Sequence, residues 1–141
     1  KRVEKGQKTA ADTLDAVARS LPALMRAEKI QDKARKAGFD WDSVGPALDK
    51  LSEEAEELKA AVREGTNPEE ELGDLLFTAV KVGSFLGLDS ELALHAACEK
   101  FIRRFRLVEK RSDKPLPQQD LSSLEALWRQ AKMEESDPTA T

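Results

Sequence analysis

Two short acidic runs hold the residues of this sequence most able to do chemistry. The first reads Glu53-Glu54-Ala55-Glu56-Glu57 and the second Glu69-Glu70-Glu71-Leu72-Gly73-Asp74, with thirteen residues between Glu57 and Glu71. If both runs are helical, Glu54 and Glu57 lie about 60° apart on one flank of the apolar stripe, and Glu71 with Asp74 repeats that spacing. Packed antiparallel, two such helices bring four carboxylates together, and like charges at close range call for a cation. Oxygen-only ligation with room for water and phosphate suits Mg²⁺, with Mn²⁺ as a substitute. The same pattern also suits a merely solvated surface, which is what most acid-rich helix faces are. Gly73 costs a helix interior about 1 kcal/mol relative to Ala and so reads as a mark of close helix approach. Glu53 lies nearly opposite the apolar stripe, facing water or a second subunit.

A basic stretch complements the acidic one. Residues 49–74 hold ten acids against three bases, whereas residues 100–114 hold seven bases against two acids. Lys100 and Arg104 stand one helical turn apart, each followed by a phenylalanine, Phe101 and Phe105. Two cations so spaced suit phosphate oxygens, or else form a surface ladder at the negative end of a helix. Trp41 and Trp128 read as core or interface fillers that could also stack on a base. Other chemistries find little support. His95 is the only histidine, so a Ser-His-Asp triad has no context and the Glu-x-x-His pairs of di-iron bundles are absent. Cys98, the only cysteine, excludes an intrachain disulfide and a Cys-based zinc site, and it reads as a small buried residue in a reducing cytoplasm. No Gly-x-x-x-x-Gly-Lys-Ser/Thr loop is present, so phosphate handling falls to metal and cations.

The elements that would position these groups are helices. The 141 residues are 35% charged and 40% hydrophobic with no Tyr, a balance that favours one all-α domain with amphipathic helices. A net charge of −4 argues against a nucleic acid polymer as partner, and no apolar run nears the roughly 20 residues that span a bilayer, so no membrane partner is expected. Residues 1–19 read as a linker or lead-in segment. Helices are expected over 22–37 with Ser20 as cap, over 46–64 with Leu48, Leu51, Ala55, Leu58 and Val62 as its stripe, and over 68–86 with Leu72, Leu75, Leu76, Ala79, Val80 and Leu86 inward. A fourth, capped by Ser90, runs to about 111 on Leu94, Ala97, Phe101, Phe105 and Val108. A last helix starts with a capping box at Ser122-Ser123-Leu124-Glu125, and residues 136–141 read as a disordered tail. Four main helices with short connections and one additional C-terminal helix point to a four-helix bundle-like architecture.

Taken together, these residues resemble a known family. Glu53-Glu54-Ala55-Glu56-Glu57 followed by Glu71-Leu72-Gly73-Asp74 is similar to the EExxE…ExxD signature of MazG nucleoside triphosphate pyrophosphohydrolases, within the all-α NTP pyrophosphatase superfamily. The segments at 20–27, 29–31, 38–41 and 100–105 resemble the C-terminal, catalytically competent domain of two-domain MazG proteins, so that 20–135 is expected to be the MazG-like domain and 1–19 a linker from a longer protein. The resemblance implies Mg²⁺-dependent hydrolysis of an NTP or dNTP to the monophosphate and pyrophosphate, with broad base acceptance, by a cytoplasmic homodimer. It carries the metal-ligand role onto Glu54, Glu57, Glu71 and Asp74, and nucleotide contacts onto Lys100, Arg104 and Trp128. Glu53, by its place in the signature, is the candidate general base. Cys98 departs from the family, which usually shows Asn there. A narrower dUTPase- or dCTPase-like enzyme, or a catalytically silent helical dimerisation module, are the competing expectations.

Overall fold

The computed structural model describes residues 9–136, and among them every regular element is helical. In chain order these are α1 (Ala10–Asp15), α2 (Ala23–Lys36), α3 (Val44–Glu64), α4 (Pro68–Phe85), α5 (Ser90–Arg111), a single 3-10 turn (Leu116–Gln118) and α6 (Leu121–Ser136). The chain is all-α, as its composition suggested. The expected disorder over 136–141 falls, apart from Ser136 at the end of α6, outside the described residues.

The described residues up to Ala93 form one compact unit. Its spine is the α3–α4 hairpin: Gly65 closes α3 in the left-handed region (φ 65°), and Pro68 opens α4 where its missing N–H costs nothing. A connection this short returns α4 antiparallel to α3, the arrangement the two acidic runs require. Helix α2 packs against α4, and α1 packs against α2. Helix α1 was foreseen only as a loose lead-in. It is organised by a capping box, in which Asp12 N–H donates to Thr9 Oγ1 and Thr9 N–H to Asp12 Oδ2, and the following Val17 is buried.

The inward seam of α3 is not the stripe expected from apolar periodicity. Ala47, Glu54 and Ala61 are buried and Leu51 and Leu58 partly so, a run of three-and-four spacings with a carboxylate at its centre. Leu48 and Val62, expected inside, are exposed, as are Leu72, Leu76 and Leu86 on α4. Periodicity locates an apolar face, but these helices are apolar over more of their circumference than one neighbour can cover. Gly73 also departs from expectation, because a Cβ built there meets nothing within 4 Å. The close approach lies instead at Gly83, where a Cβ would fall 2.7 Å from Ser90 Oγ.

From Leu94 onward the residues form a second compact unit, comprising the body of α5, the Pro115–Pro117 turn and α6. The expected start and end of α5 agree with its observed bounds. The caps differ. Asp89, not Ser90, caps α5 by accepting from Leu92 N–H at 3.1 Å, and Asp120, not Ser122, caps α6 by accepting from Ser123 N–H at 2.8 Å. Ser20 likewise makes no cap, since α2 begins directly after Pro22. Val108 is buried, but Leu94, Phe101 and Phe105 are exposed, and so is Cys98, against the expectation of a buried thiol.

Candidate metal centre

The centre of the α3 seam is where the chemistry gathers. Glu54 is 4% exposed, and the hairpin sets it opposite Glu71 and Asp74, one helical turn apart near the start of α4. One carboxylate oxygen from each of Glu54, Glu71 and Asp74 lies within 4.8 Å of the others. Three of the four expected ligands are thus brought together. Glu57 is outside that group of three, but it lies beside Glu54, and this neighbour is the first cause of its raised pKa, with Glu71 contributing further. Glu71 is also held above the ordinary glutamate range, by partial burial first and then by Asp74 and Glu54. The Glu57 shift and the smaller part of the Glu71 shift express the gathering of carboxylates in one place.

The only cation of this group was missed in the sequence. Lys50 Nζ lies 2.9 Å from Glu54 Oε1 and 3.9 Å from Glu53, and its own pKa is raised, chiefly by its bond to Glu54. The signal was available, since Lys50 is four residues before Glu54 and therefore on its face. One lysine leaves the site unbalanced. Glu54 Oε2 is buried without any hydrogen-bond partner, and a carboxylate oxygen is an acceptor only, so it needs either a donor or a cation. Oxygen donors from three carboxylates, with one buried lone pair unmet, fit a hard divalent cation. Glu53 is largely exposed, and its ion-pair partner among the described residues is Lys50.

The second unit gathers the other expected residues. Arg104 donates through Nε to Glu135 Oε1 at 2.8 Å, and its guanidinium sits 5.9 Å from the Trp128 ring centroid. Trp128 also packs on Phe101, with ring centroids 5.3 Å apart. Arg104 holds the Glu135 carboxyl below its usual range. Lys100, one turn before Arg104, is exposed and forms no ion pair among the described residues. The structure therefore joins Arg104 to Trp128 and leaves the Lys100 ammonium open to solvent.

Comparison with known proteins gives these residues relatives. Residues 45–108 match the model of the MazG nucleotide pyrophosphohydrolase domain, a stretch holding Glu54, Glu57, Glu71, Asp74, Lys100 and Arg104 but not Trp128. The chain is 44% identical over 144 residues to a protein of Escherichia coli (strain K12) named nucleoside triphosphate pyrophosphohydrolase, covering 97% of this chain and 55% of that protein. It is 37% identical over 135 residues to the Thermotoga maritima nucleoside triphosphate pyrophosphohydrolase/pyrophosphatase MazG, covering 94% and 52%. It is 38% identical over 138 residues to the uncharacterized protein YabN of Bacillus subtilis, covering 92% and 28%. The chain thus spans about half the length of the first two relatives. The family match runs through both acidic runs and the alignments extend over most of the sequence, so that residues 45–108 of this chain are similar to the MazG nucleotide pyrophosphohydrolase domain.

Proposed function

We propose that this domain is a Mg²⁺-dependent nucleoside triphosphate pyrophosphohydrolase, converting an NTP or dNTP to the monophosphate and pyrophosphate with broad base acceptance. The observation that carries this reading is the buried Glu54, with one oxygen unpaired, set against Glu71 and Asp74. The activity in the names of the E. coli and T. maritima relatives supports it.

Glu54, Glu71 and Asp74 hold the metal, and Glu57 adds a fourth carboxylate from the next turn of α3. When bound, Mg²⁺ supplies charge neutralisation at phosphate oxygens and a more acidic water. Lys50, with its Nζ 2.9 Å from Glu54 Oε1, orients that carboxylate. Glu53, exposed beside that pair, accepts the proton of the attacking water as general base. Lys100 and Arg104 donate to phosphate oxygens through charge-assisted hydrogen bonds, and Trp128 offers its ring to the nucleotide.

The active species is a homodimer in the cytoplasm. The exposed apolar residues Leu94, Phe101, Ile102 and Phe105, which fall on one side of α5 by helical phase, support self-association, because exposed apolar patches often mark contact surfaces. No helix among the described residues is long and apolar enough to cross a membrane. Sedimentation at micromolar concentration should show a dimer, and a monomer would remove that part of the reading. For the site itself, Asp74→Ala and Glu57→Ala should each abolish Mg²⁺-dependent NTP turnover while the far-ultraviolet helical spectrum stays intact. Full activity in either variant would mean that the centre is elsewhere. A near wild-type rate in Glu53→Gln would remove the assigned base.

A further inference from the structure

Within the second unit, one carboxylate of α6 meets two neighbouring arginines of α5. Glu135 Oε1 accepts from Arg104 Nε at 2.8 Å, and its Oε2 accepts from Arg103 Nε at 3.4 Å. The two contacts are unequal. The Arg104 and Glu135 side chains are 18% and 24% exposed and that of Arg103 is 59% exposed, so the shorter bond is also the one sheltered from water. Trp128, Ala131 and Glu135 follow one another at spacings of three and four and therefore share one face of α6. Ala131 is buried at the middle of that face, and Trp128 packs on Phe101 of α5. Glu134, one residue earlier, takes a different partner, Arg111, at 2.8 Å.

The atom that Glu135 binds decides what Arg104 can still do. A guanidinium carries five N–H donors in a rigid plane, one on Nε and two on each Nη. Glu135 occupies the Nε donor, and among the described residues no hydrogen bond or ion pair engages either Nη of Arg104. A carboxylate set across the two Nη groups would fill the fork that grips an oxyanion. One set on Nε fixes the guanidinium plane and leaves that fork open. The Trp128 ring, whose centroid is 5.9 Å from the guanidinium carbon, restrains the group a second time. A long side chain loses rotamer freedom when it binds, so an arginine already held in place pays less of that cost.

We infer that Glu135 is a positioning residue for phosphate recognition: by holding Arg104 through Nε, it presents the two Nη groups as a preorganised fork for an oxyanion of the substrate. Glu135 itself touches no substrate. The inference rests on the assignment of Arg104 to phosphate oxygens above, and it gives the acid beside that cation a role other than neutralising it.

The test titrates inorganic tripolyphosphate into the full chain in Mg²⁺ by calorimetry. Glu135→Ala should weaken binding about three- to tenfold, the range for one long side chain losing its preorganisation. In an Arg104→Ala background the same replacement should change nothing further, because its effect passes through Arg104. Glu135→Gln keeps an acceptor for Arg104 Nε and should bind at least as tightly as the parent. Glu134→Ala, which removes the same charge one residue away, should not weaken binding. In turnover with NTPs, kcat/KM should fall in the same ratios. Three results would each overturn the inference: Glu135→Ala binding as well as the parent or better, as an acid that only masks Arg104 requires; a loss that persists in the Arg104→Ala background, as a merely structural role requires; or Glu135→Gln as weak as Glu135→Ala. If the tripolyphosphate pattern holds but no NTP is hydrolysed, the positioning role stands and the proposed reaction does not.

Discussion

Replacing Glu54 by Gln should make the metal-free protein more stable and the metal-bound protein comparatively less so. The side chain is 6% exposed, with Oε1 bound to Lys50 at 2.9 Å and Oε2 unpaired. Glutamine keeps the shape, its carbonyl can still accept from Lys50, and its NH₂ can donate to the carboxylate oxygens of Glu71 or Asp74 nearby. An unsatisfied buried polar atom costs about 1–3 kcal/mol, and more when charged, so Glu54→Gln should gain on that order without metal. For a chain of this size that is a rise of several degrees in Tm. With Mg²⁺ a hundredfold above its Kd, the wild type gains about 2.7 kcal/mol through linkage, and the variant, lacking the central anionic ligand, gains little. Scanning calorimetry in EDTA and in excess Mg²⁺ should therefore show the two Tm values approach or exchange order. A variant that melts below the wild type in EDTA, or that gains as much from Mg²⁺, would refute the reasoning.

The raised pKa values of Glu57 and Glu71 carry a pH dependence of definite sign. Each favours the protonated form in the folded state, so its stabilising contribution is full below the ordinary value of 4.5 and is lost as pH rises through the shifted one. Metal-free wild type and Glu57→Gln should accordingly be equally stable in urea at the acid end, with the wild type falling behind above that window; a gap that closes with rising pH would contradict this. Arg104→Ala should weaken nucleotide binding about 10- to 100-fold, the worth of a charge-assisted hydrogen bond, while Arg106→Ala, two residues on, leaves a fluorescent-nucleotide titration unchanged. Gly73→Ala should raise stability by up to about 1 kcal/mol, since its Cβ meets open space, whereas Gly83→Ala must displace Ser90 and should lower Tm; equal effects would be unexpected.

Much of this molecule could be read before its structure was known, and the misses share a cause. Helix bounds at Gly65–Pro68 and across residues 90–111 follow from local signals, because backbone conformation at Gly and Pro is a nearest-neighbour matter. The caps were misassigned where Asp and Ser stand close together, at Asp89-Ser90 and Asp120-Leu121-Ser122, because both residue types cap well and only the fold shows which oxygen reaches the N–H. The acidic spacing located Glu54, Glu71 and Asp74 correctly on facing helices, but it placed Glu54 on the flank of an apolar stripe. Its position in the middle of the buried seam depends on which face of α3 meets α4, a tertiary fact. Lys50 was overlooked, and Gln31 was noted only as part of the resembling segment 29–31, for a similar reason. A lone lysine or glutamine in a helix has no distinguishing pattern, and each becomes informative only when its partner, Glu54 or the Phe77 carbonyl, is located in space.

If the carboxylate centre serves cleavage of a nucleoside triphosphate into monophosphate and pyrophosphate, the identity of the products shows it. The domain is incubated with a panel of NTPs and dNTPs in Mg²⁺ and in EDTA, and the phosphorus-containing products are resolved by ³¹P NMR. Stoichiometric monophosphate and pyrophosphate are expected from several bases, only in Mg²⁺, and none from Asp74→Ala. Release of inorganic phosphate with the diphosphate, or pyrophosphate formation that persists in EDTA or in that variant, would contradict it.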